Sequence, residues 1–264
     1  MTRSNRFDLV LQALAELAPE IENARAAEII PSVPTLGDIL GDFSSLPRES
    51  LFLGIAKDGL PILLDLNDPS PGPILVAGDA GTGKTTLLKV IAHAAARHHT
   101  TDALQFGVIT AKPEEWEPEI SLPNCAGIYP DYHNDAMDFL LGLSAWAHNN
   151  RGSRQAILLL IDSLECVNKL DFEAQQNLRW LLMRGPNRRV WPIVSLDAGR
   201  YSKSMEWLDA FRTRIFGSIR NVQSTRDLTR TDAAKLQEIL ADMPFALREG
   251  DNWLNFWIPA LDAE

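Results

Sequence analysis

Apolar residues recur at helical spacing near the start of the chain. Phe7, Val10, Leu11, Leu14, Leu17 and Ile21 share one face and predict an amphipathic helix over residues 6–28. Pro31 and Pro34 end it, and Thr35 is placed to cap a short second helix through the run LGDIL, residues 36–40. From residue 59 short apolar runs alternate with helical stretches. Strands are expected at 59–66 (GLPILLDL), 72–78 (GPILVAG), 103–110 (ALQFGVIT), 156–162 (AILLLID), 193–197 and 213–219. AILLLID is apolar at every position but the last, as a strand covered on both faces must be. Pro192 has no N–H for a ladder, so the strand beside it is expected to begin after it. Helices are expected from the glycine loop to about residue 98, over 136–150, and over 172–185, the last ending at Gly185. Residues 245–258 read as a hairpin turning at Gly250, Asp251 and Asn252. Strands alternating with helices predict an α/β fold, a mostly parallel sheet between helices.

Size and charge narrow the picture. A chain of 264 residues accommodates one large α/β domain with an appendage, here read as 1–50 for a helical extension and linker and 51–264 for the main domain. The net charge of −10 disfavours a protein that coats nucleic acid by bulk electrostatics. Residues 184–230, however, hold ten Lys and Arg against four Asp and Glu, a local +6 that leaves −16 elsewhere. A solvated face and a polyanion-binding surface account for this equally well. No apolar run approaches the roughly 18 residues of a membrane span. Asp8 and Glu16 within the apolar part of the N-terminus argue against a signal peptide. Cys125 and Cys166 alone form no disulfide framework, so a reducing cytoplasm is the default compartment. His98 and His99 stand where cations favour a helix C-terminus. Of the tryptophans, Trp146, Trp180 and Trp207 sit among apolar residues and are assigned to packing, whereas Trp116 in KPEEWEP is expected to be exposed.

The candidate chemistry lies between the strand at 72–78 and the helix after it. GDAGTGKT matches G-x-x-x-x-G-K-[ST], with Gly78, Gly83, Lys84 and Thr85 in the defining places and Asp79, Ala80, Gly81, Thr82 and Thr86 completing the loop. Phosphate oxygens need donors converging from a tight curve, which glycines permit, and the helix start adds the positive end of its dipole. Lys84 is suited to the β- and γ-phosphates, and the Thr85 hydroxyl to the shell of a Mg²⁺ ion. Asp162, ending AILLLID, is the acidic residue such an ion needs on a neighbouring strand; a plain strand terminus is the alternative. A small-molecule kinase shares this loop, but no lid-like arginine segment accompanies it.

Four segments taken in order, LGIAKDGLPILLDL with the loop, AILLLIDSLE, RGPNRRVWPIVSLDAG and FRTRIFGSI, resemble the FtsK/SpoIIIE–HerA superfamily of motor ATPases from about residue 51 to the C-terminus. The lead PSVPTLGDILGDF is also similar to linkers before ATPase modules of EccC-type type VII secretion proteins. The resemblance implies a RecA-like core, ATP and Mg²⁺, and a homo-oligomeric ring, often a hexamer, acting on DNA or a polypeptide, alone or beside a partner ATPase. Arg214, aligned with the family's "TR", is then the arginine offered to a neighbour's nucleotide, with Arg212, Arg200 and Arg220 as further candidates and a charged strand edge as the alternative. RGPNRR, residues 184–189, either lines a pore or complements a helix end. Two positions depart from the family. Ser163 stands where a glutamate is usual, and Asp197 ends the strand that usually carries glutamine. A hydroxyl is too weak a base to activate water, so Glu165 and Asp197 are the remaining carboxylates for that role. The alternative function is a nucleotide-binding switch or assembly module that holds ATP and hydrolyses it poorly.

Overall fold

In the computed structural model, residues 33–262 are described apart from 44–45, 151, 153 and 251, and the helix expected over 6–28 lies outside them. From Thr35 the chain forms one compact unit. Helix α1 (Leu36–Asp42) opens on the expected cap: the Thr35 hydroxyl accepts from the Asp38 amide, and the Asp38 carboxylate accepts from the Thr35 amide. Its Leu36 packs with Phe52, Ile55, Val90 and Ala94.

Ten strands make one sheet, in the order β2-β1-β10-β9-β8-β3-β7-β6-β4-β5. Four form an antiparallel flank: β1 (Ser50–Ala56), β2 (Pro61–Asp65), β9 (Phe245–Glu249) and β10 (Asn252–Trp257). The remaining six run parallel: β3 (Ile74–Gly78), β4 (Leu104–Thr110), β5 (Cys125–Pro130), β6 (Ala156–Asp162), β7 (Val190–Asp197) and β8 (Thr213–Phe216). β9 joins the two blocks by pairing antiparallel with β8. The α/β reading with a C-terminal hairpin therefore holds, and the hairpin closes the gap between the first strands and the parallel core.

Period-two alternation decides which helix covers which face. Ile74, Val76, Leu158, Leu160 and Ile193 point to the side of α2 (Lys84–His98), whose Leu87, Leu88 and Ile91 are fully buried. Leu75, Ala77, Leu159, Ile161 and Val194 point to the other side, against α3 (Asn134–Asn149) and α4 (Phe172–Arg184) through Leu140, Leu143, Leu178 and Leu181. Two short helices, α5 (Val222–Thr229) and α6 (Ala233–Ile239), add Leu228 and Leu236 to that layer.

Two details of the strands differ from expectation. Pro192 lies inside β7, not before it. The Ile157 amide donates to Arg189 O, so odd-numbered residues of β7 face β6 and Pro192 faces β3, where pairing begins only at Ile193. Its missing N–H thus removes no ladder bond. The last core strand ends at Phe216 rather than 219: the Gly217 amide still reaches Ala77 O of β3, but Ser218 O accepts from Asp79 in the phosphate loop instead. α4 ends at Gly185, as expected, in right-handed conformation; a Cβ there would strike the Leu181 and Val190 carbonyls, so close approach demands the glycine.

His99, read as a helix-end cation, is buried with Nε2 2.9 Å from Ser50 O. Burial, the largest influence, lowers its pKa below the ordinary imidazole value, against the Ser50 carbonyl and with the neighbouring His98. The folded state therefore keeps the ring neutral where the unfolded chain takes up a proton, so stability falls as pH drops below about 6.5. His99→Gln keeps a donor and removes the titration. We expect its melting temperature to change less between pH 7.5 and 5.5 than that of the unaltered chain; equal slopes would assign the pH dependence elsewhere.

Candidate active site

The carboxyl ends of β3, β6 and β7 converge at the middle of the parallel block, with Gly78 in register with Asp197. That edge is where open α/β sheets bind ligands. β3 runs directly into the glycine loop, and α2 follows at Lys84. Gly81 and Gly83 take φ of +80° and +83°, in the left-handed region that side chains disfavour. A Cβ on Gly78 would lie 2.6 Å from Thr82 Oγ1, so the loop's first glycine is required by its own curl. The loop is braced at its start, on Asp79. The Asp79 amide donates to Ser218 O, and the Asp79 carboxylate accepts the Arg220 amide at 2.9 Å. Ala80, Gly81 and Thr86 are exposed along it.

The start of α2 is uncapped, since Gly83 supplies no side chain to its first amides. Uncapped amides on a glycine curl, with the dipole behind them, suit an anionic ligand. Lys84 stands beside them, its ammonium donating to Gly78 O at 2.9 Å and Asp79 O at 2.7 Å. Burial lowers its pKa from the ordinary lysine value, and Asp197, Asp162 and Asp79 oppose that shift. A partly buried ammonium held only by carbonyls and distant carboxylates fits a phosphate as its close counter-ion.

Asp162 and Thr85 meet: the Thr85 hydroxyl donates to the Asp162 carboxylate at 3.0 Å. Two more donors reach the same carboxylate, Ser195 Oγ at 3.1 Å and Trp116 Nε1 at 3.2 Å. A hydroxyl and a carboxylate within hydrogen-bond reach, both oxygen ligands, match what a Mg²⁺ ion bound to phosphates takes from the protein. Among the described residues no group of three or more His, Cys, Asp or Glu forms a separate metal cluster.

Trp116 corrects the sequence reading. It is fully buried, not exposed. Two 3₁₀ turns, Pro113–Trp116 and Pro118–Ser121, fold KPEEWEP back beneath α2, leaving Glu114, Glu115 and Glu117 outside and sending the ring inward. Lys89 lies 5.4 Å over the ring and 3.2 Å from the buried carboxylate of Glu119, which His93 also contacts. Burial alone would raise the Glu119 pKa, but the hydrogen bond from His93 and the Lys89 charge hold it below the usual carboxylate range. Polar flanks masked the ring; the one available signal was its position just beyond the carboxyl end of a central strand.

The remaining candidates fall into two places. Ser163, next to Asp162, has φ of 107° and ψ of 113°, a region that costs a non-glycine residue on the order of 1–3 kcal/mol. Its hydroxyl accepts the Glu165 amide at 3.4 Å. Glu165 Oε2 accepts from Arg200 at 3.2 Å, while its other carboxylate oxygen is buried without a hydrogen-bond partner. Arg200 also lies 4.0 Å from Asp197, whose second oxygen accepts the Gly199 amide at 2.9 Å. Arg200 thus engages the two candidate carboxylates of its own chain. Arg214 is elsewhere. It sits toward the amino end of β8, and its guanidinium donates to Leu208 O and Leu228 O, each at 2.8 Å, and to Phe211 O.

No family model and no curated protein matches the sequence. Solved structures do match the fold. The cytoplasmic domain of the Thermomonospora curvata type VII secretion ATPase EccC superposes with a TM-score of 0.68 at 16% identity, covering 87% of this chain and 32% of that one. EssC (ATPases 2 and 3) from Geobacillus thermodenitrificans gives 0.66 at 14%, covering 89% and 48%. The pCW3 conjugation coupling protein TcpA, in its monomer form with ATPγS, gives 0.64 at 15%, covering 89% and 72%. The chain therefore spans a third to a half of the first two. What it shares with all three, at identities this low, is the fold: a RecA-like P-loop NTPase core.

Proposed function

We propose that this chain is an ATP-binding module of the FtsK–HerA type that holds Mg-ATP tightly and hydrolyses it slowly. The observation that carries the reading is the conjunction at the β6 terminus: Asp162 bonded to Thr85 at 3.0 Å, with Ser163 in the next position. Lys84 and the loop amides would hold the phosphates; Thr85 and Asp162 would hold Mg²⁺, whose chemistry when bound is to offset phosphate charge. Trp116 and Ser195 fix the Asp162 carboxylate in place. Activation of water is the weak part. Ser163 offers no base, Glu165 is engaged by Arg200, and Asp197 accepts bonds but cannot donate one as an amide does. In this reading the chain works in a reducing compartment, as a homo-oligomer or beside a partner ATPase, with a ring as the assembly the resemblance implies. A faster motor acting on DNA or a polypeptide is the second reading, favoured by the four collinear segments.

Steady-state phosphate release separates the two. Turnover of the unaltered chain is expected to lie near the background of Lys84→Ala. Ser163→Glu restores a carboxylate at a position whose backbone strain is already present, and is expected to raise kcat about tenfold or more, since a placed general base contributes roughly 10²–10⁴. Unchanged turnover in Ser163→Glu would show that the base does not limit the reaction. Turnover of about one per second without it would favour the motor.

A further inference from the structure

Three cavities adjoin at the edge of the sheet opposite the phosphate loop. Their walls include Pro73, Arg188 and Arg212, which precede β3, β7 and β8, so they lie at the amino ends of parallel strands whose carboxyl ends build the nucleotide site. The first, about 400 Å³, is lined by Arg184 and Arg188 beside the stacked His148–Trp180 pair. The second, about 340 Å³, shares Arg184 and Asn187 with the first. It shares Asp209 and Arg212 with the third, about 320 Å³, which adds Arg214, Arg230 and Arg248. The shared walls make one groove. Six guanidiniums line it, and among the described lining residues Asp209 is the one carboxylate.

These arginines arrive from separate segments: the end of α4, the turn before β7, the start of β8, the end of α5 and strand β9. Local needs account for three of them. Arg184 complements the last turn of α4, Arg214 braces three carbonyls, and Arg248 donates to Thr229 O and Gly250 O. Arg212 and Arg230 are exposed and form no ion pair with a described carboxylate. Gathering like charges is unfavourable unless an anion joins them. Guanidinium forks pair bidentately with phosphate oxygens. A row of charges over three adjoining cavities calls for a ligand that repeats its charge every few ångströms, as a phosphate backbone does and an ordinary acidic peptide does not. The rest of the chain is net negative, which disfavours bulk binding of a polyanion elsewhere on it.

We propose that this groove binds the phosphate backbone of a nucleic acid. The proposal rests on the polymer handling of the second reading above and not on hydrolysis. The groove lies on the far edge of the sheet from Lys84, so binding needs no nucleotide.

The test is fluorescence anisotropy of a short labelled duplex and of its single strand, without nucleotide, from about 50 to 200 mM salt. The unaltered chain is compared with Arg184→Glu/Arg212→Glu/Arg230→Glu and with a control of equal charge change outside the groove, Lys203→Glu/Arg226→Glu/Lys235→Glu. The groove variant is expected to bind at least about thirtyfold more weakly near 50 mM and to lower the log–log salt slope by about 2–3, at roughly 0.9 per phosphate neutralised on a duplex. The control should stay within about threefold, and ATP should still raise the melting temperature of both. The duplex and single-strand arms say which form the groove prefers. Equal binding by groove variant and control overturns the proposal, as does failure of both DNA forms to bind near 50 mM. So does competition by poly-glutamate as strong as that by DNA of the same charge. If the triple variant does not fold, Arg184→Gln and Arg212→Gln replace it, each expected to lower the slope by about one. Loss of ATP protection in the unaltered chain, with DNA binding kept, would instead defeat the nucleotide reading alone.

Discussion

Lys84→Ala is expected to abolish the stabilisation by Mg-ATP while leaving the fold intact. At a ligand concentration about a hundredfold above Kd, binding contributes about 2.7 kcal/mol, which for a domain of this size raises Tm by about 5–10 °C. The Lys84 ammonium is the nearest full positive charge to the loop, and charge-assisted bonds to phosphate are about twice as strong as neutral ones. Its loss should weaken ATP by about a hundredfold and shrink the shift to about a degree. Without ligand two effects oppose each other. Alanine removes a partly buried charge whose pKa burial has lowered, which favours folding, but it also strips donors from Gly78 O and Asp79 O. The intrinsic Tm should therefore move little. Full ATP protection retained in Lys84→Ala would remove the phosphate-loop assignment.

The largest effect on stability is expected from Trp116. Its ring is fully buried, with Lys89 over it, in the same apolar cluster as Leu87, Leu88, Phe106 and Val108. Truncating such a ring to alanine costs about 3–5 kcal/mol, or roughly 10 °C of Tm. Trp116→Phe separates packing from chemistry. It keeps most of the volume and deletes the N–H that donates to Asp162 at 3.2 Å. A hydrogen bond to a charged group contributes about 1.5–3 kcal/mol, so the phenylalanine variant should lose less stability than the alanine one. Its distinctive readout is magnesium. With one donor gone, Asp162 is less firmly held, and a higher Mg²⁺ concentration should be needed for the same ATP-induced shift. If alanine at 116 lowers stability by under about 1 kcal/mol, the ring is not buried as described. If phenylalanine leaves the Mg²⁺ dependence unaltered, the indole packs without positioning the carboxylate.

Much of this was legible in the chain because it depends on neighbours in sequence. The loop from Gly78 to Thr85 declares itself, since turn geometry and phosphate donors come from consecutive residues. The Thr35–Asp38 capping box is likewise local. β3 and β6 were visible as apolar runs, β4 as a mostly apolar one, and α2, α3 and α4 as 3.6-residue patterns. β1 is not among the expected strands although every residue of it is buried; it is fixed by antiparallel pairing with β2 and the distant β10, which the local run SLFLGIA does not show. Nor is β5: its residues are half-exposed, and it is held by pairing with β4.

The chain by itself determined the chemistry available: a phosphate loop, an aspartate ending an apolar strand, and a serine where a base would serve. Only the tertiary structure decided which of those groups meet. Thr85 and Asp162 are 77 positions apart, and Trp116 comes to the same carboxylate from a third segment. Arg200 is brought against Glu165, whereas Arg214 is led to the opposite edge. Side-chain identity is written residue by residue, but proximity is set by strand order and register across the whole sheet. No local pattern carries that information.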